Sequence, residues 1–115
     1  MKMIRQVIVY KRYFLDFYEI QTDDVQRKIE WTLNLLRTIE KVPNKYFCHM
    51  QGTNGLYEVR VEMGGNIFRI FAFFDKGNLI VLGNSFQKKT QKTPKTPKTE
   101  IDKALKIKKE YENEK

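Results

Sequence analysis

Two arginines sit inside a β-rich stretch that offers them little solvent, and a lysine pair stands at its exit. Residues 55–90 read GLYEVRVEMGGNIFRIFAFFDKGNLIVLGNSFQKKT, with Arg60 and Arg69 in mid-strand and Lys88 and Lys89 at the exit. A cation inside an apolar strand is costly unless it reaches water, a partner or an anion. Arg69 alternates with Ile67, Phe71 and Phe73, while Phe68, Ile70, Ala72 and Phe74 make up the opposite set. Both sets are apolar, so this strand is expected to be central and covered on both faces. Arg69 then needs a carboxylate or an anion-binding cleft. Arg60 alternates with Leu56, Glu58 and Glu62, and an ion pair with one of those two acids is its simplest structural explanation. Lys88, Lys89, Lys92, Lys95 and Lys98 continue the positive run with no acid among them. Such a run is either solvated or in contact with phosphates.

The elements that position these residues follow from turns and periodicity. Gly64-Gly65-Asn66 and Lys76-Gly77-Asn78 separate three β-rich runs over residues 56–63, 67–75 and 79–87. Gly and Asn supply the positive φ of tight hairpins, so the three runs predict an antiparallel meander. In the last run the alternation puts Leu79, Val81, Gly83, Ser85 and Gln87 in one set and Ile80, Leu82, Asn84, Phe86 and Lys88 in the other.

Upstream, residues 3–10 (MIRQVIVY) predict a first strand. Residues 11–20 hold Tyr13, Phe14, Phe17 and Tyr18, read as a turn or short helix that packs its rings on the sheet; the alternative is an exposed surface for stacking bases. A long helix is expected next. Thr22 is its N-cap, Asp23 and Asp24 its acidic first turn, and Val25, Ile29, Leu33 and Leu36 its apolar stripe, widened by Trp31, Leu35 and Ile39. Pro43 is expected to end it. Residues 44–54 read as a connection containing the single histidine, His49, either a general acid–base group or a surface residue. No second histidine or acid pair stands near it in sequence, which favours the surface reading.

Lys-Thr-Pro occurs twice in tandem, at residues 92–94 and 95–97. Proline blocks regular structure and like charges repel, so residues 90–99 read as a solvated linker. A helix over 100–113 follows, capped by Thr99 with Asp102 three residues on, and striped by Ile101, Ala104, Leu105 and Tyr111.

Composition sets the outer limits. A chain of 115 residues is one domain by prior, here 1–115, and its formal net charge of +8 favours an acidic partner such as nucleic acid, the ribosome, an anionic membrane or an acidic protein. The lone Cys48 excludes an intrachain disulfide, no apolar run is long enough to span a bilayer, and the first ten residues lack the apolar core of a signal peptide. The cytoplasm is the expected location.

The run from Gly55 to the last helix resembles the phage-derived HigB-like branch of the RelE/ParE toxin superfamily. The marks are Gly-Leu-Tyr-Glu-x-Arg, x-Phe-Arg-x-Phe on the next strand, and Phe-x-Lys-Lys-Thr-x-Lys-Thr-Pro before a Glu- and Lys-rich helix, EIDKALKIKKEYE, together covering about residues 55–112. The resemblance implies an α+β (α/β two-layer) RelE-like fold, with an antiparallel meander packed against N-terminal helices and a C-terminal helix. It implies a type II toxin that docks on the ribosome and cleaves mRNA without metal or other cofactor, neutralised by a cognate helix-turn-helix antitoxin. In that chemistry a ribose 2′-OH attacks the adjacent phosphate and basic side chains stabilise the charge that develops. Arg60, Arg69, and Lys88 or Lys89 match the family's basic positions, and Lys88, Lys89, Lys92, Lys95 and Lys98 are the implied RNA contacts. The chain departs from the pattern twice. RelE has a lysine where Glu58 stands, and many HigB-like members have a histidine where Asn84 stands. Asparagine is no general base, so a lysine of lowered pKa or the ribosome would have to accept the proton. Other readings are a non-catalytic binder of RNA, ribosome or antitoxin, and a ParE-like gyrase inhibitor, against which the retained cations argue.

Overall fold

The computed structural model describes residues 2–88 and 96–115. In chain order the elements are β1 (Gln6–Val9), α1 (Tyr13–Glu19), α2 (Asp23–Thr38), β2 (Phe47–His49), β3 (Leu56–Met63), β4 (Asn66–Asp75), β5 (Leu79–Lys88) and α3 (Lys98–Asn113). The five strands form one sheet in the order β1-β5-β4-β3-β2. Strands β2 to β5 pair antiparallel, and β1 adds to β5 in parallel. This mostly antiparallel α+β architecture agrees with a RelE-like domain.

The meander forms as the turns require. Met63 pairs with Asn66, so the β3–β4 loop is the two residues Gly64 and Gly65, at φ 58° and 83°. Positive φ at both central residues is the hairpin geometry whose twist matches the strands. Strand β4 is central, as its two apolar sets require. One set, Phe68, Ile70 and Ala72, packs with Val59, Val61, Ile80 and Leu82 against Phe14 of α1 and Val25, Ile29, Leu33 and Leu36 of α2. The other face carries Leu56, Phe71 and Phe86 beneath Ile101 and Ala104 of α3.

Several sequence expectations are refined. The first strand has four residues, with Ile8 and Val9 exposed at the sheet edge. The rings of α1 pack as expected. Phe14 is buried, Phe17 meets Phe68 at 5.9 Å, and the hydroxyls of Tyr13 and Tyr18 donate to Glu110 and Glu30. The base-stacking alternative for these rings therefore fails. Thr22 caps α2, accepting from the Val25 N–H at 3.4 Å. The helix stops at Thr38, well before Pro43. Ile39 turns extended (φ −99°, ψ 127°), and the Arg5 guanidinium donates to the Leu36 and Ile39 carbonyls at 2.9 and 2.7 Å. A cation there satisfies the orphan carbonyls and the negative end of the helix dipole. Trp31 and Ile39 do not widen the buried stripe, being 46% and 38% exposed. Trp31 stands two positions from both Ile29 and Leu33, which points it away from their face. The connection over 44–54 contains the additional strand β2.

Strand β5 breaks its alternation. Ala72 pairs with Leu82 but Ile70 with Ser85, so two residues of β5 oppose one of β4. This bulge leaves Ile80 and Leu82 on the α1–α2 face and turns Asn84, Phe86 and Lys88 to the α3 face. Helix α3 starts at Lys98, inside the expected linker. Pro97 takes the cap position without a side-chain bond, Thr99 does not cap, and Asp102 pairs with Lys98 at 2.9 Å. A Pro at this boundary is preset at φ −59°.

The far end of α3 is tied down by acids. Tyr111 donates to Asp75 at 2.6 Å and Lys115 pairs with the same carboxylate; Glu110 accepts from Tyr13 at 2.9 Å and pairs with Lys11 at 3.2 Å. Bonds from Lys115 and Tyr111 hold Asp75 below its ordinary pKa, and those from Tyr13 and Lys11 do the same for Glu110. A carboxylate depressed in the folded state adds stability above its ordinary value, lost as pH falls through the folded one. The expected result is that α3 loosens first on acidification, below the ordinary values of 3.8 and 4.5. Amide exchange in α3 should rise there while β3–β5 stay protected; equal protection of α3 and sheet through that window would contradict it.

Candidate functional site

Register brings the sequence-predicted cations together. Arg60 of β3 lies directly opposite Arg69 of β4, Arg69 opposite Phe86 of β5, and Ile67 opposite Lys88. Residues directly opposite in an antiparallel pair share a face, so Arg60, Arg69 and Lys88 all project to the α3 side. Glu58 opposes Phe71 on that face. Two like charges directly opposite each other repel, so the arrangement needs an anion between them.

Glu58 is that anion. Its carboxylate is buried, 2% exposed, and Oε1 takes both arginines: Arg60 Nε at 3.0 Å and Arg69 Nε at 3.3 Å. The hydroxyl of Thr96 donates to Oε2. Arg69 also donates to the Phe68 carbonyl at 3.2 Å and is 9% exposed. Burial pushes the Arg69 guanidinium below its ordinary pKa, opposed by the Glu58 charge and reinforced by Arg60. Lys88 is likewise lowered, first by burial and then by the charge of Arg69, with Glu58 acting in the opposite sense. Three cations therefore face Glu58 and, farther off, Glu62, which also acts on Arg69, and the site retains positive charge for an incoming anion.

Residues 16–109 match the sequence pattern of the family described as Phage derived protein Gp49-like (DUF891). The chain belongs to this family. Gp49-like proteins are RelE-like and toxin-like in general. The matched span takes in α2, the whole meander and most of α3, and so every residue of the Glu58 cluster. No curated protein matches the chain.

The remaining candidates of this Gp49-like chain fall in different places. Lys89, Lys92 and Lys95 lie outside the described residues. Lys98 is the first residue of α3, exposed and paired with Asp102. His49 is exposed on β2 and opposes Tyr57, which puts it on the opposite side of the sheet from Glu58 and Arg60. Asn84 is buried and donates Nδ2 to the Glu100 carbonyl at 3.3 Å; its Oδ1 has no hydrogen-bond partner among the described residues. Among the described residues, no group of three or more His, Cys, Asp and Glu side chains is placed to hold a metal ion. No helix among them is long and apolar enough to cross a membrane.

Glu58 stands out in the sequence as a departure and as a partner for Arg60; its bond to Arg69 as well is visible only in the structure. Thr96 falls within the expected solvated linker, yet it ties the start of α3 to the same carboxylate. The one signal for Glu58 was its place two residues from Arg60 on the same strand face.

Proposed function

We propose that this Gp49-like protein is a type II toxin of the HigB-like branch that cleaves mRNA on the ribosome. The observation that carries the reading is the convergence of Arg60, Arg69 and Lys88 on one sheet face, held by Glu58. Attack of a ribose 2′-OH on its own 3′-phosphate places extra negative charge on the phosphoryl oxygens and expels the 5′-oxygen of the next nucleotide, leaving a cyclic phosphate. Fixed cations stabilise that charge. Arg60 and Arg69 present planar forks suited to two phosphoryl oxygens. Lys88, lowered by burial, is the group on this face best fitted to accept the 2′-OH proton. No metal enters this scheme. The partners are the ribosome with its mRNA and a helix-turn-helix antitoxin, in the cytoplasm.

Glu58 favours one other reading, a non-catalytic RNA or antitoxin binder of the same fold. A carboxylate already bonded to both arginines competes with phosphate for them, and Asn84 offers no base. Co-sedimentation with ribosomes in translating extract, with translation monitored alongside, tests the proposal. Binding should fall steeply with salt, with a log–log slope near the number of phosphates neutralised, and translation should arrest. A flat salt response between low and physiological ionic strength would overturn it; steep binding without arrest would favour the binder.

A further inference from the structure

A second basic surface lies beside the cluster, at the edge where α2, the connection after it and β3 meet. Lys28, Lys45, Tyr46, Arg60 and Glu62 line an open groove of about 340 Å³. Trp31, nearly half exposed, meets Tyr46 edge-on at 5.5 Å. Lys28 Nζ lies 4.2 Å from the Trp31 ring centroid and Lys45 Nζ 4.9 Å from that of Tyr46. The chain thus interleaves two aromatic rings with three cations and a single carboxylate on an accessible surface. Core packing accounts for neither Trp31 nor Lys45. Trp31 points off the apolar stripe of α2, and Lys45 is exposed.

We infer that this groove binds a single-stranded segment of RNA, with phosphate between Lys28, Lys45 and Arg60 and a base against Trp31 and Tyr46. Alternating cations and aromatic rings are how sequence-tolerant single-strand sites are built, since every base has a face to stack and every linkage a charge. The volume lies at the low end for ligand sites and is enough for a base with its phosphate. Glu62 on the rim supplies an acceptor for a ribose hydroxyl or an amino group. Arg60 links the groove to the cluster, because its Nε holds Glu58 while its Nη1 donates to the Asn44 carbonyl at 3.5 Å. RNA lying in the groove would lead past Arg60 to Arg69 and Lys88. The inference extends the RNA-directed reading of that cluster, and it concerns binding only.

The chain has one tryptophan, so Trp31 emission reports the groove directly. Titration of the full chain with an eight-nucleotide oligouridylate should quench that emission to saturation. Lys28→Gln/Lys45→Gln, which touches no residue of the apolar core, should weaken binding about tenfold and flatten the log–log salt slope by about 1.4, two contacts at the single-strand value. Polyglutamate should not quench. The inference is overturned if the oligonucleotide leaves Trp31 unaffected, if the double variant binds like the parent, or if polyglutamate quenches equally, which would mark an acidic-protein surface. Because the titration contains no ribosome, intact quenching together with uncut message in a separate ribosomal assay would reject the nuclease reading and leave the groove standing.

Discussion

Replacing Arg69 by alanine is expected to lower ribosomal mRNA cleavage by about 10²–10³-fold, the range for losing one charge-stabilising donor. The fold should survive the change. Glu58 keeps Arg60 at 3.0 Å and the Thr96 hydroxyl, so no buried carboxylate is left alone. Arg69→Lys should restore little, because an ammonium is a point charge and cannot reproduce the planar fork. Circular dichroism establishes that the variant is folded; growth arrest and cleavage then give its activity. A folded Arg69→Ala variant that cleaves at the parental rate would remove this residue from the chemistry. An Arg69→Ala variant that unfolds would mean that its role is to close the β3–β4 pair.

Glu58→Ala should have the largest effect on stability. It leaves Arg69, buried on the α3 side of the sheet, without its carboxylate, directly opposite Arg60. Removing one partner of a buried ion pair costs about 3–5 kcal/mol, and the lower end applies here because Arg60 is about one-third exposed. That corresponds to a fall in Tm on the order of 10–20 °C for a domain of this size. Affinity for RNA should move the other way at low salt, since the site loses the carboxylate bonded to both arginines. Thermal melts and oligonucleotide titrations of the same variant separate the two effects. An unchanged Tm would show that Glu58 is not the keystone of the cluster; weaker RNA binding by folded protein would show that it helps to hold the ligand instead of competing with it.

The fold was legible where local chemistry decides it. Gly64-Gly65 and Lys76-Gly77-Asn78 marked both hairpins, and Val25, Ile29, Leu33 and Leu36 marked the buried stripe of α2. What sequence could not reach was set by distant pairing. Strand β2 is three residues with no room for a period, visible only because Phe47 pairs with Val59. The parallel docking of β1 on β5 joins segments some seventy residues apart. The bulge after Leu82 adds one residue to the count and moves Phe86 and Lys88 to the other face. The site divided in the same way. Arg60 and Arg69 stood out as cations in apolar strands, but placing them opposite each other required the register. Thr96 reaches Glu58 across 38 positions, and no local pattern records such a contact.

On the proposed reading, the face carrying Arg60, Arg69 and Lys88 cleaves mRNA. Its most direct test is in vitro translation of a defined message with the purified protein, followed by mapping of mRNA 5′ ends. New 5′ ends are expected within the translated region, dependent on ribosomes, unaffected by chelator and lost with Arg69→Ala. Translation arrested by the protein with every message intact would contradict it.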